Sequence, residues 1–416
     1  MSITFPKDKL VRILRYVPLA VLLVALSPLI VSLSLLAGIV IRVRRCPSPG
    51  VPEDAEGASR AGVKTMSEAM ELLERLPFGR PWSRPLSAFA GWTIDLVPEL
   101  LDTSKLTSGF MYPYPRPFEP VMVESEDGTP VCGLLAMQSG AAPALIVTHD
   151  LLESKNSHGP RSIAMRAYYR WGFHVLALDL RGAGDSGRFA PSPPSLGFRE
   201  SEDIIAAATF MDTMERVSTV AVCGTGSGGT AALIAASSSR VEGPLAGGAV
   251  SINCYSDAKR EARRLSAGGQ APITARLRTR LLLLLKTSLN GPRRLSDLVD
   301  FIRQVSSQYY EAAEETIYDG ASAGAGMCEI EIPCLVLHSL DDRIVPVGEA
   351  YDLVAQALGN PMVGSVLVPG GGHALYRLTN RRWLYSTLET FFAYWGEFFS
   401  EELEADDISI FENPDN

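Results

Sequence analysis

From residue 119 onward, short apolar runs alternate with longer amphipathic ones. Residues 121–124 and 131–137 flank Glu126-Asp127-Gly128, which predicts a hairpin. Residues 144–148 form a short apolar run bounded by polar residues, the pattern of a buried strand. Similar runs recur at 175–180, 219–223, 248–252, 334–338 and 365–368. Between them, helical spacing appears at 162–169, at 202–214, from about Gly229, at 347–358 and at 382–399. The last of these puts Leu384, Leu388, Phe391, Trp395 and Phe398 on one face, as a helix covering a sheet requires. Alternation of this kind predicts an α/β fold, a mostly parallel sheet with helices on both faces. Upstream, 65–76 has helical periodicity, and the stretch to about Phe118 is irregular, with prolines and aromatics throughout.

Two intervals break the pattern. Residues 17–41 contain no ionisable side chain, and a helix needs about 20 apolar residues to cross a bilayer. Lys7, Lys9, Arg12 and Arg15 precede the run, and Arg42, Arg44 and Arg45 follow it. The run is long for a signal peptide and lacks a clear cleavage site before Arg42, so a single-pass N-terminal signal anchor is expected. Pro28 is tolerable inside such a span. The positive charge is nearly equal on both sides, so the side of the membrane stays open. The second break, 255–325, is too long for a simple connection between strands and predicts a helical cap over one end of the sheet. Its first part, 255–300, holds ten Lys/Arg against four Asp/Glu around Leu281–Leu285, which suits either a solvated cap helix or a basic lid against an anionic membrane.

Composition sharpens this picture. Apolar residues are 46% and charged ones 20% of the 416 residues, which excludes a chain disordered throughout. The net charge of −9 argues against a nucleic-acid partner. Residues 1–45 carry a net of +6, while 401–416 carry seven acids and no base. The six cysteines show no CxxC spacing, so neither a metal site nor a disulfide framework is indicated. The chain thus divides into a basic flank (1–16), a transmembrane helix (17–41), a Pro/Gly-rich linker (42–62), an N-terminal extension (63–118), an α/β domain (119–400) with its cap (255–325), and an acidic tail (401–416).

Candidate chemistry centres on Gly224-Thr225-Gly226-Ser227-Gly228-Gly229, set between a strand and a helix. The same residues satisfy the dinucleotide pattern G-x-G-x-x-G, but the partner acid is missing because the next strand ends in Asn253, and Gly182–Gly187 satisfies that pattern too. No cofactor is implied. The stretch resembles instead the G-x-S-x-G nucleophile elbow of the α/β-hydrolase superfamily. Other pieces share the resemblance. Thr148-His149-Asp150-Leu151 is similar to the strand end whose backbone lines the oxyanion hole, with Asp150 in place of glycine. Asp179-Leu180-Arg181-Gly182-Ala183-Gly184-Asp185-Ser186 is similar to the D-x-R-G-x-G-x-S stretch. Asp341-Asp342 and Gly370-Gly371-Gly372-His373 resemble the acid and histidine loops, which implies Asp342 as the acid and His373 as the base.

The elbow itself is degenerate. Aligned on Gly224 and Gly228, it puts Gly226 where the serine belongs. The small residue expected six positions into the helix falls at Ala232 from Gly226 and at Leu233 from Ser227, which favours the first register. Two readings follow. In one, the turn shifts and Ser227 is the nucleophile, with His373 and Asp342 completing the triad and the backbone N–H groups of Leu151 and Gly228 forming the oxyanion hole. The expected protein is then a membrane-anchored serine hydrolase cleaving a carboxylic ester, lipid esters included, through an acyl-enzyme. In the other, the nucleophile is lost and the protein is a pseudo-hydrolase that binds or scaffolds. A carboxylate at Asp150 aimed inward would oppose an oxyanion. Oligomeric state is not readable from the chain.

Overall fold

The computed structural model describes residues 66–76, 114–267, 298–373 and 381–394, except Leu152, Pro191 and Arg343. The expected membrane span, the linker, the centre of the cap and the acidic tail lie outside these residues. Among the described residues, no helix is long and apolar enough to cross a membrane.

Eight strands form one sheet: β1 (Glu119–Glu124), β2 (Pro130–Ala136), β3 (Ala142–Val147), β4 (His174–Leu178), β5 (Val217–Thr225), β6 (Gly248–Ile252), β7 (Cys334–Ser339) and β8 (Val363–Val368). Their order is β1-β2-β4-β3-β5-β6-β7-β8. The β1–β2 hairpin is antiparallel, as is the pairing of β2 with β4; from β4 to β8 every pairing is parallel. This is the α/β-hydrolase fold.

Strand periodicity divides the core in two. Leu145 and Val147 of β3 face one side with Ala221, Cys223, Val250, Ile252, Leu335 and Leu337. Helices α1 (Met66–Arg75), α2 (His158–Tyr169) and α8 (Arg381–Tyr394) cover that side, with Leu384, Leu388 and Phe391 buried. Ala144 and Ile146 face the other side with Val220, Val222, Ala249 and Val336. There they meet α3 (Phe198–Asp212), α4 (Ser227–Ser237) and α7 (Val347–Gln356). Helix α4 is nearly all small residues, and Ala231, Ala232, Ala235 and Ala236 are buried, so it lies close against the sheet. Within the cap interval, α5 (Ala258–Ser266) and α6 (Glu314–Gly320) belong to a third apolar cluster with Tyr255, Leu298, Ile302 and Val345.

Two buried ion clusters fix the loops that follow β3 and β4. The Lys155 ammonium pairs with Asp179 and with Asp185 (2.6 Å), tying the loop after β3 to the end of β4. Arg181 donates to Asp203 (2.6 Å) on α3, to Asp127 (2.7 Å) in the β1–β2 turn and to Ser125 (3.1 Å). These bonds are the physical work of the D-x-R-G stretch: they hold a hairpin, a strand end and a helix to one guanidinium. Asp203 is fully buried, so removing its partner leaves a buried charge unpaired. Arg181→Met is therefore expected to cost about 3–5 kcal/mol in urea unfolding. A loss below about 1 kcal/mol, within the range of an exposed ion pair, would contradict this account.

Candidate functional site

The candidate residues meet at the C-terminal ends of the parallel strands, where open α/β sheets bind ligands. Strand β5 runs through Thr225, two residues past the expected end, and α4 begins at Ser227. The sharp turn between them falls on Gly226, with φ 54° and ψ −122°. A positive φ of this kind favours glycine. The Gly226 N–H donates to the Ile252 carbonyl (2.9 Å), which pins the turn to β6. Gly224 is needed for proximity rather than torsion: a Cβ there would overlap the Gly228 carbonyl.

What faces the turn is a carboxylate. Asp150, after β3, directs Oδ1 between two backbone donors, Leu151 N–H (2.8 Å) and Ser227 N–H (2.8 Å). Its Oδ2 lies 3.0 Å from His373 Nε2. The other ring nitrogen, Nδ1, lies 2.7 Å from Asp342 Oδ2. Asp342 follows β7 and is fully buried; its Oδ1 accepts from Ile344 N–H (2.7 Å) and Val345 N–H (3.1 Å). The Asp150 and His373 side chains remain 27% and 15% exposed. A Cβ built on Gly226 would fall deep inside the Asp150 carboxylate.

The structure therefore joins His373 to Asp342 and places both beside the elbow, with Asp150 as the third member of the chain of bonds. Ser227 enters as the first residue of α4 and brings its backbone N–H to Asp150. Of the two backbone donors proposed from sequence, Leu151 N–H is at the site. The second donor comes from Ser227, one residue before Gly228.

Electrostatics follow from this geometry. Burial opposes charge on His373, but Asp342 and Asp150 outweigh it and raise its pKa well above the ordinary histidine value. Burial likewise opposes charge on Asp150, yet His373 and the Ser227 and Leu151 N–H groups hold its carboxyl well below the usual range. The resting site is an imidazolium between two carboxylates. On the cap, Glu261 of α5 is pushed up to about 7, chiefly by burial, despite its pairing with Arg264 (2.5 Å).

A supporting layer escaped the sequence reading. Asn253, at the end of β6, donates from Nδ2 to the carbonyls of Gly372 (3.2 Å) and His373 (2.8 Å). Its Oδ1 accepts from Ser339 N–H (3.0 Å). Asp341 accepts from Gly372 N–H (2.8 Å) and Ser339 Oγ (2.5 Å). Together they set the histidine loop against the acid loop. His149 sits between the Asp150 carbonyl (2.8 Å from Nδ1) and Leu180 N–H (3.1 Å from Nε2), which links the loop carrying Asp150 to the end of β4. The sequence signal for the whole arrangement was a pair of departures from the elbow pattern, aspartate for glycine at 150 and glycine for serine at 226. Among the described residues, no group of three or more His, Cys, Asp or Glu side chains is placed to hold a metal ion.

A family model described as serine aminopeptidase, S33, matches residues 161–377. No curated protein matches the sequence. Among solved structures, the chain is similar to the Pyrococcus furiosus esterase Pf2001, with 16% identity over 67% of this chain and 92% of that one and a TM-score of 0.48. It is similar to a 2,6-dihydroxy-pseudo-oxynicotine hydrolase, with 16% identity over 82% and 93% and a TM-score of 0.49. It is also similar to the Pyrococcus horikoshii acylaminoacyl peptidase, with 15% identity over 68% and 42% and a TM-score of 0.47.

Gly226 and Asp150 compete for one volume, which makes their substitutions interdependent. Gly226→Ser alone is expected to destabilise by about 1–3 kcal/mol through overpacking. In the pair Gly226→Ser/Asp150→Gly, the loss measured by denaturant unfolding should fall short of the sum of the single losses by at least about 1 kcal/mol. Strict additivity would refute the shared volume.

Proposed function

Because the chain belongs to the serine aminopeptidase S33 family of hydrolases, we propose that it is a membrane-anchored member that no longer works through a serine acyl-enzyme. The observation that carries this reading is the placement of one carboxylate. Asp150 fills both places that serine catalysis must keep free: the space at the elbow against His373, and the space between two backbone N–H donors. A tetrahedral oxyanion needs those donors, and losing one such donor costs about 3 kcal/mol of transition-state stabilisation. The second loss is of the base. An imidazolium has no lone pair on Nε2 and cannot take a hydroxyl proton. Toward carboxylic esters and amides the site is inert in this reading.

The intact Asp342–His373 pair (2.7 Å) favours a second reading, ester hydrolysis through Ser227, with lipid esters as candidate substrates. A fluorophosphonate serine probe separates the two. The wild-type chain should remain unlabelled, while Gly226→Ser/Asp150→Gly, which restores a hydroxyl at the turn and clears the donors, should label. Wild-type labelling that disappears in Ser227→Ala would overturn the first reading and establish the second.

The anchor rests on the 25 uncharged residues 17–41 and their basic flanks. In alkaline carbonate extraction of cells making the full chain, the protein should stay in the membrane pellet, and deletion of 17–41 should release it. Release of the intact chain would remove the anchor from the proposal.

A further inference from the structure

We propose that two copies of this chain pair through strand β8, edge to edge and antiparallel, so that one sheet runs through both. The two edges of the sheet are built differently. At the β1 edge, Glu119 and Glu124 close the strand at either end and Pro120 lies within it, devices that keep another strand from adding. The other edge, β8, reads Val363-Gly364-Ser365-Val366-Leu367-Val368 and has none of them. Its surroundings in the chain are equally bare. From Leu353 to Tyr376 there is no Asp, Glu, Lys or Arg, although such residues make up 20% of the sequence.

The backbone of β8 selects the occupant. The Cys334 N–H donates to the Met362 carbonyl (2.8 Å), and the Leu340 N–H donates to the Val368 carbonyl (2.9 Å). Successive residues of a strand turn their backbone groups to opposite sides, so Met362, Gly364, Val366 and Val368 bond to β7. Val363, Ser365 and Leu367 turn theirs outward, and among the described residues β8 pairs with β7 alone. An antiparallel copy centred on Ser365 engages every outward residue: Ser365 meets its own counterpart, and Val363 meets Leu367 on either side of it. The N–H groups of Ser365 and Leu367 then find the counterpart carbonyls of Ser365 and Val363. The Val363 N–H is already used, by the Asn360 carbonyl (3.4 Å). No like charges meet, because the strand has none, and the side chain at the axis is a small hydroxyl. The edge is thus complementary to itself.

Two short strands alone bury too little for a stable interface, which needs about 800 Å² per partner. Apolar surface for the remainder lies in the same part of the chain. Leu358, 87% exposed, leads into β8, Tyr351 is exposed on α7, and Leu340 is exposed directly after β7. The pairing also agrees with the anchor proposed above. Its two-fold axis runs normal to the sheet, since Ser365 of both copies points to one face. Helix α1, whose Met66 and Met70 pack over Gly364, therefore lies on the same face in both copies, and both chains can enter one membrane.

The test uses the full chain in detergent. Light scattering corrected for bound detergent should give the wild type twice the chain mass of 44.9 kDa. Ser365→Pro removes only an outward N–H, because the β7 ladder runs through Gly364 and Val366, and should return the mass to that of one chain with the circular dichroism unchanged. Cross-linking does not depend on the strand tolerating proline. In a Cys46→Ser/Cys328→Ser background, Ser365→Cys should be joined to its counterpart by a short bismaleimide. Val363→Cys should be joined only when co-expressed with Leu367→Cys, which reads the register. A wild-type mass of one chain overturns the proposal, and slow maleimide reaction at Ser365→Cys would then show that another segment of the same chain covers the edge. A dimer that Ser365→Pro leaves intact, or that cross-links as readily through Met122→Cys on β1 as through Ser365→Cys, also overturns it, because the copies then meet elsewhere.

Discussion

Everything at the end of this sheet is arranged around the bond between Asp150 and His373. A carboxylate alone in that position would be costly to bury, and so would an imidazolium. Joined to each other and to Asp342, they make a chain of alternating charge in which each oxygen of Asp150 and each nitrogen of His373 has a partner. The chain draws together loops from β3, β7 and β8 with the turn between β5 and α4. Asn253 adds β6 to the set by holding the Gly372 and His373 carbonyls. Five strands thus converge on one ion cluster, and the Lys155–Asp179 pair steadies the loop that carries Asp150.

The cluster separates two properties of the nucleophile elbow that are easily treated as one. The turn at Gly226 exists because β5 must pass into α4 under the constraint of the sheet, and it needs no hydroxyl to form. The N–H of Ser227 belongs to the turn and to the first position of a helix, where backbone donors have no partner within the helix, and it donates to Asp150 instead. The turn therefore supplies an anion site through its backbone alone, and Asp150 fills it. Fold is retained while function is decided by which group fills that site.

How far the sequence carried can be judged residue by residue. The apolar runs located the strands because their alternation is local, and the D-x-R-G stretch marked a loop whose role, the Arg181 cluster, is structural. Asp342 and His373 were readable because each follows a strand in a recognisable loop. The elbow register was also readable in part: the spacing to Ala232 pointed to Gly226, and the turn falls there. What the chain could not display was the destination of Asp150. It meets Ser227 across 77 residues of sequence and His373 across 223, and no local pattern specifies contacts of that range. The departures at 150 and 226 were each visible, but their coupling is a fact of volume. Asn253 was legible only as an acid that was missing, since its three bonds depend on where the loops come to rest.

That shared volume sets the order in which the two positions can be exchanged. A Cβ at 226 would overlap the inward carboxylate at 150, so a side chain at the turn requires the carboxylate to turn away or be removed first. Turning it away breaks its bonds to His373 and to two backbone donors at once. One carbon atom at the turn is thereby coupled to every partner of the acid.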